Sequence, residues 1–127
     1  MMSRQDVEAL VSEFLKRFSN MEFDRVGDLM SDDVIVEMPY SPNNAVCHGR
    51  DDCVSYLDRS VRSFVKKVNF TVTDTVFDYD RQAIMVDHDN NGVRTDGRLY
   101  RNRYIGIFHV SEGKVVRWRQ FFNPSLL

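Results

Sequence analysis

Residues Glu112 to Pro124 read E-G-K-V-V-R-W-R-Q-F-F-N-P, and the way they alternate decides the fold. Glu112-Gly113-Lys114 is a tight turn, and the residues after it form a strand with two distinct sides. Successive strand side chains point to opposite faces. Val116, Trp118, Gln120 and Phe122 therefore share one face, while Val115, Arg117, Arg119 and Phe121 share the other. A face that is apolar except for one amide fits the wall of a pocket. It also fits a core strand whose amide bonds to backbone.

Upstream of this strand lies a long β region. Leu99 to Val110 reads as a strand joined to the closing strand by the Ser111–Lys114 turn. Phe70 to Thr73 alternates, Gln82 to Asp89 forms another strand, and Asp89-Asn90-Asn91-Gly92 has the composition of a turn. The first half of the chain is helical. Val7, Leu10, Val11, Phe14, Leu15 and Phe18 fall on one helical face behind a Ser3/Asp6 cap. A short helix spans Phe23 to Met30, and a strand from Val34 stops at Met38-Pro39. Pro39 to His48 is a polar loop, and Gly49 opens a third helix carrying Val54, Leu57, Val61, Phe64, Val65 and Val68. Three helices and hairpin-linked strands make an α+β domain with the helices on one sheet face.

At 127 residues, 43% hydrophobic and 28% charged, the chain is one ordinary globular domain, 1–127. Seventeen basic residues against 19 acidic give a net charge of -2, too little basic excess for phosphate neutralisation, so no nucleic-acid partner is expected. No apolar run reaches the ~20 residues of a membrane span. The first residues lack a signal-peptide core, so a cytoplasmic location is expected. Cys47 and Cys53 fit neither a redox motif nor a zinc site. Cys53 falls at the start of the third helix, where a thiol pKa can be lowered.

The element order, the Met38-Pro39 break, Gly49, and the run Gly106-Ile107-Phe108…Glu112 to Asn123 together resemble the nuclear transport factor 2-like superfamily. The chain is most similar to its SnoaL-like branch, which includes limonene epoxide hydrolase, polyketide cyclases and phenazine-biosynthesis proteins. The resemblance runs from about Val7 to Pro124. It implies a strongly curved mixed or antiparallel sheet wrapped around the N-terminal helices, a cone-shaped, cystatin-like α+β roll. It also implies a conical ligand pocket and a homodimer.

The family's reactive groups transfer poorly. The acid that limonene epoxide hydrolase carries in its closing Trp-Arg-Asp motif is Gln120 here, and its Arg-x-Asp pair falls on Asp87-His88-Asp89. Its Tyr and Asn fall on Ile35 and Glu37, so only Asp89 matches. The ketosteroid isomerase tyrosine falls near Phe14, which becomes a wall residue, and its two aspartates fall near Met38 and Gly106. Gln120 also stands where the cyclases and phenazine proteins hold their working carboxyl. An amide cannot exchange protons near neutral pH, but it can donate and accept hydrogen bonds.

Parity then assembles a candidate site. With Trp118, Gln120 and Phe122 inward, the preceding strand supplies Asn102, Tyr104 and Gly106. The strand from Gln82 is expected to supply Met85, Asp87 and Asp89, and the first strand Glu37. Burial and mutual proximity would raise carboxyl pKa values, as acid–base work near neutral pH requires. Asp89 is the expected base, with Asp87 or Glu37 as its acid partner. Gln120, Tyr104 and Asn102 would orient substrate oxygens, and Trp118, Phe122 and Phe14 would form the apolar wall. His88 has the other parity and is expected at the surface or an interface. His48 lies in the polar loop and His109 faces outward, so no metal ligand set and no organic cofactor is implied.

Arg101, Arg103, Arg117 and Arg119 share the outward parity of two adjacent strands. Local salt bridges, acidic residues of a second subunit or an anionic partner would relieve that ladder of like charge. The chain therefore reads as a metal-free isomerase, cyclase or hydratase/dehydratase acting on a hydrophobic oxygenated ligand, and a homodimer through the outer sheet face. A non-catalytic binding or interaction module of the same fold is the alternative.

Overall fold

The computed structural model describes residues 1–127. Ser3 accepts a hydrogen bond from the Asp6 backbone N–H at 3.1 Å and caps α1 (Arg4–Ser19), whose buried stripe is Val7, Val11, Phe14, Leu15 and Phe18. The short α2 (Phe23–Gly27) follows, then β1 (Met30–Met38), which starts four residues before the expected strand. The polar loop contains a short strand, β2 (Ala45–His48), antiparallel to β1. Gly49, with φ +88°, turns the chain into α3 (Arg50–Phe64). That helix ends at Phe64, so Val65 belongs to a strand and Val68 lies beyond the helix.

Five strands complete the chain: β3 (Val65–Lys67), β4 (Phe70–Asp78), β5 (Ala83–Arg94), β6 (Leu99–Ser111) and β7 (Lys114–Phe122). The sheet order is β2-β1-β7-β6-β5-β3, with β4 also paired to β5. β1 runs parallel to β7 and every other pair is antiparallel, giving a mixed sheet. The sheet curls strongly into a half-barrel that the helices close, the α+β cone expected from the sequence.

Asp89-Asn90-Asn91-Gly92 is not a turn. All four residues lie inside β5, and the chain reverses at Thr95–Arg98, where Gly97 has φ +89°. Gly92 is needed for a close approach instead, because a Cβ there would stand 2.3 Å from the Lys67 carbonyl oxygen. Asn90 Oδ1 accepts the Asn69 N–H at 2.9 Å, and Asn91 N–H donates to Asn69 O at 3.0 Å. These bonds secure the break between β3 and β4 against β5.

Trp118 is fully buried at the centre of an aromatic cluster in the core. Phe14 meets its ring edge-on at 5.0 Å and meets Phe108 at 5.3 Å, while Phe108 stacks on Trp118 at 5.6 Å. Edge-to-face and offset aromatic pairs of this kind add to the burial of apolar area. Phe14 is thus fully buried core and does not line the cavity, in contrast to the wall role expected for it.

Candidate functional site

The register of β5, β6 and β7 fixes what faces into the cone. Tyr104 lies opposite both His88 and Phe122, Gly106 opposite Val86 and Gln120, and Phe108 opposite Ile84 and Trp118. Directly paired residues share a face. The inward residues of β5 are therefore Ile84, Val86, His88 and Asn90, all buried, and the outward ones are Met85, Asp87 and Asp89.

This reverses the face expected for β5. Asp87 forms a two-point pair with Arg103 at 2.7 and 3.1 Å, and that guanidinium holds its carboxyl below the ordinary range rather than above it. Asp89 is exposed on the same outer face. Glu37 also points outward from β1 and binds Arg117 at 2.6 and 3.0 Å. The reason is energetic. A carboxylate in the cone would lack a cationic partner, whereas Ile84 and Val86 gain by burial. The three proposed acid–base residues are therefore outside the site.

The cavity lies between α3 and the inner sheet face and has a volume of about 670 Å³. Fourteen of its 22 lining residues are hydrophobic, and none is Asp or Glu. Trp118, Gln120, Phe122 and Tyr104 line it, as the sequence predicts, joined by Asn90 and Tyr100. Arg59, its one cationic liner, is exposed on α3.

Asn102 is buried but does not line the cavity. Its amide donates to Tyr100 Oη at 2.7 Å and Asn123 O at 3.0 Å, and its carbonyl accepts from Arg103 N and Asn123 N. With its donors and acceptor engaged, Asn102 is a bracket that holds the end of β7 and the Tyr100 phenol. Tyr104 Oη donates to Tyr100 Oη at 3.3 Å. Burial, reinforced by Tyr100 beside it, pushes the Tyr104 phenol up, so it keeps its proton as a donor.

His88 is the residue that sequence reasoning missed. It is fully buried, stacked on Tyr104 at 5.3 Å and met edge-on by Phe70 at 5.0 Å. Its Nδ1 lies 3.0 Å from Val86 O and its Nε2 lies 2.9 Å from Gln120 Nε2. A carbonyl oxygen can only accept, so Nδ1 carries the proton. Nε2 of the neutral ring then accepts from the Gln120 amide. Gln120 Oε1 consequently points away from His88 and over Gly106, where it stands 2.8 Å from the position a Cβ would take. The signal for this arrangement was the pair Ile84/Val86, whose apolarity sets the inward parity that His88 shares.

No three His, Cys, Asp or Glu side chains converge to hold a metal. Burial pushes the Cys53 thiol up to about 11, so its place near the start of α3 does not activate it. No helix is long and apolar enough to cross a membrane.

The profile of the SnoaL-like domain matches residues 11–118. Over 106 residues the chain is 23% identical to the uncharacterized protein YesE of Bacillus subtilis (strain 168), covering 79% of this chain and 69% of that one. A Bacillus subtilis crystal structure with a provisional isomerase assignment superposes with TM-score 0.88 at 18% identity, over 99% of this chain and 92% of that one. An LEH-like epoxide hydrolase from M. tuberculosis superposes with TM-score 0.78 at 18% identity, over 96% and 86%. Likeness at these identities establishes the shared fold, which hosts several chemistries.

Burial pushes the His88 pKa below its ordinary 6.5, so the folded protein refuses a proton that the unfolded chain accepts. Its stabilising contribution is complete above about pH 6.5 and is lost as the pH falls through the folded value. His109, lowered by burial and by Arg119 and Arg117, acts in the same direction. Side-chain ¹H–¹⁵N NMR separates the two. His88 is expected to be the Nδ1–H tautomer when neutral and to take up its proton at lower pH than a free imidazole; an Nε2–H tautomer in the neutral protein would contradict the geometry.

Proposed function

The chain belongs to the SnoaL-like domain family, and for this member we propose a ligand-binding cone that takes a hydrophobic, oxygenated small molecule. The observation that carries this is the wall itself: about 670 Å³ of space, mostly apolar, whose polar groups are amides, phenols, serine hydroxyls, the Trp118 indole and the exposed Arg59, with no Asp or Glu. Pockets of roughly 300–1,000 Å³ with a few placed polar groups suit drug-sized molecules. Acid–base turnover through Asp89, Asp87 and Glu37 is not part of the proposal, since all three side chains face the outer surface.

One observation favours a second reading, turnover of the isomerase or cyclase type. His88 is a titratable group one hydrogen bond behind the Gln120 amide. Gln120 separates its Nε2 from the cavity, so binding without proton transfer accounts for the geometry with fewer movements.

A second copy of the chain is proposed to cover the outer sheet face. Ile105, Ile107 and Phe121 on that face are only partly buried, Met85 is exposed, and Arg119 Nε is buried with no partner. A self-complementary surface needs such apolar patches beside paired charges.

Two outcomes are expected. The neutral fluorophore N-phenyl-1-naphthylamine should bind saturably at one site per chain. Val61→Trp, which fills the α3 side of the cavity, should weaken it by about tenfold or more while the circular-dichroism spectrum is retained; undiminished binding in that variant would remove the cone as the site. Light scattering should give twice the 14.9 kDa chain mass, falling to one chain mass in Ile107→Arg. A wild-type monomer at micromolar concentration would sink the dimer.

A further inference from the structure

Two buried polar atoms on the inner face of β7 have no hydrogen-bond partner: Trp118 Nε1 and Gln120 Oε1. Both residues line the cavity, with relative exposures of 0% and 3%. Buried polar groups in folded proteins are nearly always paired, and an orphan carries a desolvation cost that needs an explanation. One orphan is a donor, since an indole N–H can only donate, and the other is a carbonyl acceptor.

The Gln120 amide cannot relieve its own orphan by turning over. Val86 O fixes the His88 proton on Nδ1, and the neutral Nε2 then requires the NH₂ side of the amide. A flipped amide would set Oε1 against the lone pair of Nε2. Oε1 is therefore held over Gly106, on the side where an inward Cβ would project into the cone. The two orphans sit two residues apart on one strand face, so their Cα atoms are about 7 Å apart.

We propose that Trp118 Nε1 and Gln120 Oε1 form a two-point recognition site for a neutral ligand bearing one acceptor oxygen and one hydroxyl or N–H donor on an apolar frame. This deepens the cone reading above and rests on it. The acceptor oxygen, a carbonyl or ether, accepts a hydrogen bond from the indole N–H, and the ligand's donor reaches Gln120 Oε1. Anions are disfavoured at this depth because Oε1 would repel them and Arg59 is exposed at the edge of the cavity. His88 acts here as a positioning residue, holding the amide in the orientation that selects a donor.

The chain has a single tryptophan, so its indole N–H gives one unambiguous NMR signal. Four bicyclic probes of nearly equal shape separate the two contacts: 6-hydroxy-1-tetralone, 1-tetralone, 5,6,7,8-tetrahydro-2-naphthol and tetralin, titrated at pH 6.5 by calorimetry and ¹H–¹⁵N NMR. The hydroxyketone is expected to bind tightest, with each singly substituted probe roughly five- to tenfold weaker and tetralin weakest. The indole N–H signal should move downfield with the two ketones only. Trp118→Phe should abolish the advantage of 1-tetralone over tetralin, while the wild-type series stands independently if that variant fails to fold. Four affinities within twofold of each other and an unmoved indole signal would overturn the two-point site and leave the cone reading intact. No binding by any of the four would overturn the cone reading itself.

Discussion

The hydrogen bond between Gln120 and His88, closed across Gly106, is the interaction around which the inner wall is organised. It links β7 to β5 over the intervening strand, and it is possible only because β6 has no side chain at that point. A methyl group at 106 would stand 2.8 Å from Gln120 Oε1 and 3.3 Å from His88 Cε1. Real Cβ contacts are almost never as short as the first, so an alanine would force the Gln120 amide to shift and would crowd His88. The chain Val86 O, His88, Gln120 also sets proton positions, because each donor is assigned by the acceptor before it. A single backbone carbonyl thus determines which side of the amide is turned away from His88.

The rest of the sheet follows one division. The polar side chains that β5, β6 and β7 turn inward are all neutral, and every carboxylate on the central strands goes outward to an arginine or to water. Glu37–Arg117 and Asp87–Arg103 interleave the arginine ladder and relieve its self-repulsion. Exposed pairs of this kind stabilise little, so their effect is on which face the strands present. The relatives with the same fold carry isomerase and epoxide hydrolase names, yet the fold leaves the chemistry to the inner wall. In this chain the sheet side of that wall holds amides, phenols and one indole, and no carboxylate.

Much of this was legible in the sequence. The α1 stripe, the parity of β6 and of β7 from Arg117 to Phe122, and the four outward arginines stand as the periodicity predicts. A register shift between His109 and Val110 turns Val115, expected outward, into the core and leaves Val116 only half-buried. β5 presents the face opposite to the one that the chemistry of its two aspartates suggests. The apolar pair Ile84/Val86, which costs nothing to bury, was the better guide. Asn90-Asn91-Gly92 has the composition of a turn but serves a close approach between β5 and the β3–β4 break, a long-range contact that local composition does not encode. β2 was hidden in a polar loop for the same reason, since its pairing with β1 comes from tertiary placement.

The face assignment is tested most directly by a crystal structure of the protein with N-phenyl-1-naphthylamine bound. A neutral inner wall predicts the naphthyl ring between α3 and β7, in contact with Trp118 and Gln120, with Asp87 and Asp89 on the opposite side of the sheet. An aspartate carboxylate inside the cavity, or the fluorophore seated on the outer sheet face, would contradict it.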